Sequence, residues 1–82
     1  MIRQNVNLSA LMPIGRTKAA EIAGVAGKYA CMLTLERDGI VLNLKSMIGL
    51  LSQTVPADGE MVLVAQGADE QEACKAMVEV LG

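Results

Sequence analysis

Two runs of alternating apolar and polar residues, joined by Arg37-Asp38-Gly39, limit the architectures open to this chain more than any other feature. Cys31, Leu33 and Leu35 alternate with Met32, Thr34 and Glu36; beyond the turn, Ile40, Leu42 and Leu44 alternate with Val41 and Asn43. Alternation of period two is the pattern of a strand covered on one face. Asp-Gly between two such runs predicts a type I′ hairpin, because that turn needs positive φ at both central residues. The core of the fold is therefore an antiparallel pair with one apolar face that needs a cover.

The rest of the sequence supplies the cover and two more strands. Ile2 to Leu8 alternates in the same way, with Ile2, Val6 and Leu8 on one side, and reads as the first strand. Ser9 to Gly15, which contains Pro13, reads as a loop. Ala19, Ile22, Ala23 and Ala26 recur at helical spacing, so a first helix is expected from Arg16 or Thr17 to Ala26, with Gly27 as its stop. Ser46 stands in N-cap position before a short helix, and the segment closes at Val55-Pro56. Ala57-Asp58-Gly59 predicts a turn and Met61 to Ala65 a fourth strand. Ala73, Ala76, Met77, Val80 and Leu81 then trace the apolar stripe of a last helix, with Asp69 and Glu72 as its capping pair.

The order β-α-β-β-α-β-α predicts an α+β fold, a four-stranded antiparallel sheet covered on one face by three helices. The 82 residues suit a single domain over 1–82. The apolar fraction is 52%, yet no apolar run approaches the roughly 20 residues of a membrane-spanning helix. Nor do the first residues read as a signal peptide. A cytoplasmic protein with no membrane partner is expected.

Composition excludes much chemistry. The chain contains no histidine, and so lacks the usual general acid/base and the commonest metal ligand. Cys31 and Cys74 match no metal or redox spacing, so they read as buried apolar residues in a reducing compartment. No metal or cofactor is expected. Net charge is −2, the cations are scattered, and Tyr29 is the one aromatic residue, which argues against direct nucleic-acid binding. The carboxylates fall mostly at turns and solvent faces, where solvation explains them. A non-enzymatic protein is expected.

The layout, the length and the segment Asn43-Leu44-Lys45-Ser46-Met47-Ile48-Gly49-Leu50-Leu51 resemble HPr, the small histidine-containing phosphocarrier family of the bacterial sugar phosphotransferase system. Asp38-Gly39 in the hairpin, Ala19-Ala20 in the first helix, and Gly67 to Ala73 opening the last helix fit the same pattern. The resemblance implies the HPr open-faced sandwich. It also implies a phosphoryl-carrying histidine before the first helix, in a Gly-Leu-His-x-Arg-Pro-Ala-like motif. This chain reads Pro13-Ile14-Gly15-Arg16-Thr17-Lys18-Ala19 there, with Gly15 in place of the histidine, Thr17 of the arginine and Lys18 of the proline. A phosphate ester on Thr17 would be a far poorer donor than phosphohistidine. The histidine relay is therefore not expected, although Arg16, Thr17 and Lys18 at a helix start offer an anion rim. The plainer reading makes Thr17 a helix cap and leaves the two cations solvated.

Ser46 carries the other implication. In HPr proteins of low-GC Gram-positive bacteria an ATP-dependent HPr kinase/phosphorylase modifies the matching serine, and the product is a corepressor for a LacI-type transcriptional regulator in carbon catabolite repression. Members of the Crh type lack the histidine and keep that regulatory role. The resemblance thus implies a phosphoprotein modified at Ser46, with partner contacts through Met47, Ile48, Leu51, Arg16 and Thr17. By position alone Ser46 is an N-cap. Four apolar residues on so short a helix cannot all face the core, so Leu50 is expected inward and some of the others outward. Two alternatives stay open: an unmodified interaction module of the same fold, and a phosphocarrier using another acceptor. Either a monomer or a weak homodimer suits the sequence, since the first strand is terminal and could be exchanged.

Overall fold

In the computed structural model, which describes residues 1–11, 14–52 and 58–81, the predicted hairpin forms as expected. Strands β2 (Met32–Arg37) and β3 (Ile40–Asn43) pair antiparallel, with Leu35 opposite Leu42 and Arg37 opposite Ile40. Asp38 and Gly39 have φ of 46° and 85°, the double positive-φ turn that Asp-Gly favours. Strand β1 (Ile2–Asn7) and strand β4 (Glu60–Gln66) complete an antiparallel sheet in the order β1-β4-β2-β3. Register aligns one apolar layer across it: Ile2 with Ala65, Val6 with Met61, Leu33 with Ala65, and Leu35 with Leu63.

Three helices cover that layer, α1 (Arg16–Ala26), α2 (Met47–Ser52) and α3 (Glu70–Leu81). From α1 the core takes Ala19, Ile22 and Ala26; from α3 it takes Ala73, Cys74, Met77 and Leu81. With Leu33, Leu35, Leu42, Leu44 and Leu63 these residues form one aliphatic cluster. Close packing of leucine, methionine and alanine thus builds the core with almost no aromatic contribution; Tyr29, the one aromatic residue, packs against it half-buried. Both cysteines are free and buried, and burial raises their thiol pKa values, Cys31 also through its contact with Asp69.

Several details depart from the sequence-based expectations. The stretch after the first strand is not wholly loop: Ser9–Leu11 is a single 3-10 turn. Asn7 Oδ1 accepts the Ser9 N–H at 2.8 Å, and Leu8 O accepts from Leu11 N at 2.9 Å. Thr17 is not the cap of α1. That position falls to Gly15, which is extended and offers no side-chain acceptor. Gly27 ends α1 as expected, but in a right-handed conformation. Lys18 is paired with Glu21 at 3.2 Å instead of being free in solvent. The fourth strand extends one residue beyond expectation at each end.

The capping pair of α3 also differs. Asp69 turns away from its own helix and accepts the backbone N–H groups of Ala30 at 2.9 Å and Cys31 at 3.0 Å. The cause is a close approach: a Cβ on Gly67 would lie 2.6 Å from Cys31 Cβ, so the start of α3 packs onto the chain entering β2. Donors there need an acceptor, and Asp69 supplies it. Glu70, not Glu72, reaches back three residues, to the Gly67 N–H at 3.2 Å. The capping box is displaced by two positions. Pro13, Val55, Pro56 and Ala57 lie outside the described residues.

Candidate functional site

The link between β3 and α2 builds the Ser46 site from three short-range bonds. Asn43 Oδ1 accepts the Lys45 N–H at 2.9 Å, and Asn43 O accepts the Ser46 N–H at 3.0 Å, which turns the chain out of the strand within two residues. Ser46 Oγ then accepts the Gly49 N–H at 3.1 Å, and its carbonyl accepts from Leu50 N at 3.1 Å. That is the N-cap geometry expected of a serine before a helix. Asn43 was not singled out from sequence as part of this site, although asparagine three residues before a capping serine is a turn signal in its own right.

Packing divides the apolar residues of α2 into two sets. Leu50 is 2% exposed and Met47 is half-buried against the core, whereas Ile48 is 80% exposed and Leu51 44%. The inward place of Leu50 matches expectation. Met47 serves packing at least as much as surface. Ile48 and Leu51 therefore form the outward apolar pair, beside a half-buried Ser46.

Lys45 adds a tether that sequence reasoning missed. Its ammonium donates to Tyr29 O at 2.7 Å, just beyond the C-terminal end of α1. Gly15, Arg16 and Thr17 are exposed at the opposite end of that helix, roughly 16 Å away along its axis at 1.5 Å per residue. Although α1 packs on α2, the start of α2 is anchored at the far end from the Gly15 rim. A Cβ on Gly15 would meet nothing within 4 Å among the described residues, which leaves room for a side chain on that side. Among the described residues, no group of three acidic or cysteine side chains could hold a metal ion. No helix there is long and apolar enough to cross a membrane.

Comparison with known proteins adds four findings. The family model described as the PTS HPr component phosphorylation site matches residues 15–82. The HPr-like protein Crh of Bacillus subtilis is 37% identical over 73 residues, spanning 89% of this chain and 86% of that protein. Among solved structures, HPr-C-His from Thermoanaerobacter tengcongensis has a TM-score of 0.85 at 28% identity, covering 99% of this chain and 91% of that one. The crystal structure of Bacillus subtilis Crh, described as a swapped, intertwined dimer, has a TM-score of 0.77 at 33% identity, covering 99% and 93%.

Proposed function

Because this chain belongs to the HPr family, we propose that it is a regulatory member of that family, phosphorylated at Ser46 by an HPr kinase/phosphorylase and read by partner proteins through α2. The observation that carries this reading is the arrangement at α2: a half-buried hydroxyl at the helix start beside the outward apolar pair Ile48 and Leu51. Phosphorylation there adds up to two negative charges beside that pair while leaving the helix in place. A partner would sense charge and apolar surface together, and a LacI-type transcriptional regulator is the partner class that the resemblance supplies.

Phosphohistidine transfer has no place in this reading. The chain contains no histidine, and Gly15 occupies the position at which the family carries one. The exposed Arg16 and Thr17 are then a secondary contact surface at the other end of α1. Two further parts of the reading are a cytoplasmic location and a weak homodimer formed by exchange of β1. The dimer draws support from the swapped Crh dimer and from the place of β1 at the sheet edge.

Incubating the chain with an HPr kinase and ATP, with Ser46→Ala as control, tests the proposal by intact mass. One added phosphate on the native chain, mapped to Ser46 and missing from the control, is the expected result. An unmodified native chain overturns it in favour of an unmodified interaction module. Phosphate transferred from phosphoenolpyruvate by the system's first enzyme would point instead to a carrier with another acceptor.

A further inference from the structure

Gly49 stands inside a six-residue helix, where glycine is among the least favourable residues. Among the described residues nothing requires it there. Its backbone is outside the positive-φ set formed by Gly39, Gly59 and Gly67. Among the described residues a Cβ at position 49 would meet no atom closer than 3.4 Å, an ordinary contact distance. That nearest atom is Ser46 Oγ, followed by Ser46 Cβ at 3.5 Å and Asn43 O at 3.9 Å. Position 49 thus looks directly onto the hydroxyl.

A helical side chain leans toward the N-terminus and covers the turn before its own Cα. Position 49 is three residues after Ser46, so any side chain longer than a methyl group would extend over Ser46. We infer that Gly49 is the access residue of the phosphorylation site: its missing side chain keeps Ser46 Oγ open to the phosphoryl donor. The inference rests on the reading of Ser46 as a phosphoryl acceptor. In that reaction Oγ forms a bond to the γ-phosphorus of ATP, the bond from that phosphorus to the ADP oxygen breaks, and the hydroxyl proton leaves to a base of the kinase. Attack needs the phosphorus at about 3–3.5 Å from Oγ and in line with the leaving oxygen. In the free chain the Gly49 N–H engages one lone pair of Oγ at 3.1 Å, and the space beside it is the space a side chain at 49 would fill.

Steady-state phosphorylation of the native chain, Gly49→Ala and Gly49→Gln by an HPr kinase with ATP tests this, with circular dichroism to follow folding. Both replacements are better helix formers, so both variants should melt at or above the native temperature. The expected result is a graded loss: a small effect for alanine, and for glutamine a fall in kcat of roughly tenfold or more with KM for the protein substrate nearly unchanged. Native kcat in the glutamine variant overturns the inference. So does a loss confined to KM, which would assign position 49 to docking. No phosphate on the native chain overturns this inference together with the Ser46 reading, whereas equal kcat in native and variant chains overturns this inference alone.

Discussion

The Lys45 ammonium donates to Tyr29 O at 2.7 Å and ties the residue before the Ser46 cap to the chain leaving α1. The pair spans 16 residues of sequence and joins the hairpin's exit to the helical layer. A six-residue helix is too short to be stable by itself, so α2 persists through such attachments and through Leu50 in the core. Lys45→Met keeps the aliphatic stem and removes the bond. Since the side chain is exposed, the expected loss is only about 0.5 kcal/mol, read as a fall in Tm of roughly 2–4 °C. Faster amide exchange at Gly49 and Leu50, out of proportion to that global change, would locate the effect in α2.

Ser46 holds the same end of that helix through the Gly49 N–H. Ser46→Ala removes the acceptor and should cost about 1 kcal/mol, by chemical denaturation. Ser46→Asp keeps an acceptor and adds a negative charge at the positive end of the helix, so it should recover most of that loss. If the alanine and aspartate variants are equally destabilised, the cap is not what Ser46 contributes to the fold.

Asp69 gives stability a defined dependence on acid. The Ala30 N–H, and next to it the Cys31 thiol and N–H, hold its carboxyl below the usual carboxylate range, and the Arg37 guanidinium does the same for Asp58. Each carboxyl binds its proton less readily in the folded chain than in the unfolded one. Their contribution is therefore complete above the ordinary aspartate pKa and is lost as pH falls through the depressed folded values. Thermal stability should hold steady near neutrality and decline once the pH drops below about 4. Asp69→Asn should be less stable than the native chain at pH 7 and should show a shallower acid decline. A native profile that is flat down to pH 2 would contradict the assignment.

The strand alternation and the helix stripes were legible because burial follows period and little else. Leu33, Leu35, Leu42 and Leu44 are all buried, and Leu50 points inward as its place on a short helix required. What the sequence concealed were contacts between segments distant along the chain. Asp69 looks like the cap of its own helix until the close approach of Gly67 to Cys31 brings the backbone N–H groups of Ala30 and Cys31 within reach. Lys45 looks like a solvated cation until Tyr29 O comes within reach. At the candidate site, Ser46 was readable as a cap, but Asn43 and Gly49 acquire meaning only once the turn is built around the hydroxyl. Local pattern cannot supply pairings that depend on tertiary approach.

The second helix glycine separates a cost of composition from a requirement of the site. Gly24 lies within α1, is exposed, and a Cβ there would meet nothing within 4 Å among the described residues. Neither backbone conformation nor packing calls for glycine at that position. Gly24→Ala should therefore stabilise the chain by about 0.5–1 kcal/mol, through helix propensity and a less flexible unfolded state. For a chain of this size the gain corresponds to a rise in Tm of several degrees. Gly49→Ala should also raise Tm, by the same mechanism, so melting alone cannot tell the two glycines apart. The distinction lies in what an added methyl group would face, open solvent at position 24 and the Ser46 hydroxyl at position 49. A Tm unchanged or lowered by Gly24→Ala would mean that α1 is constrained at that point by something other than its own helix geometry.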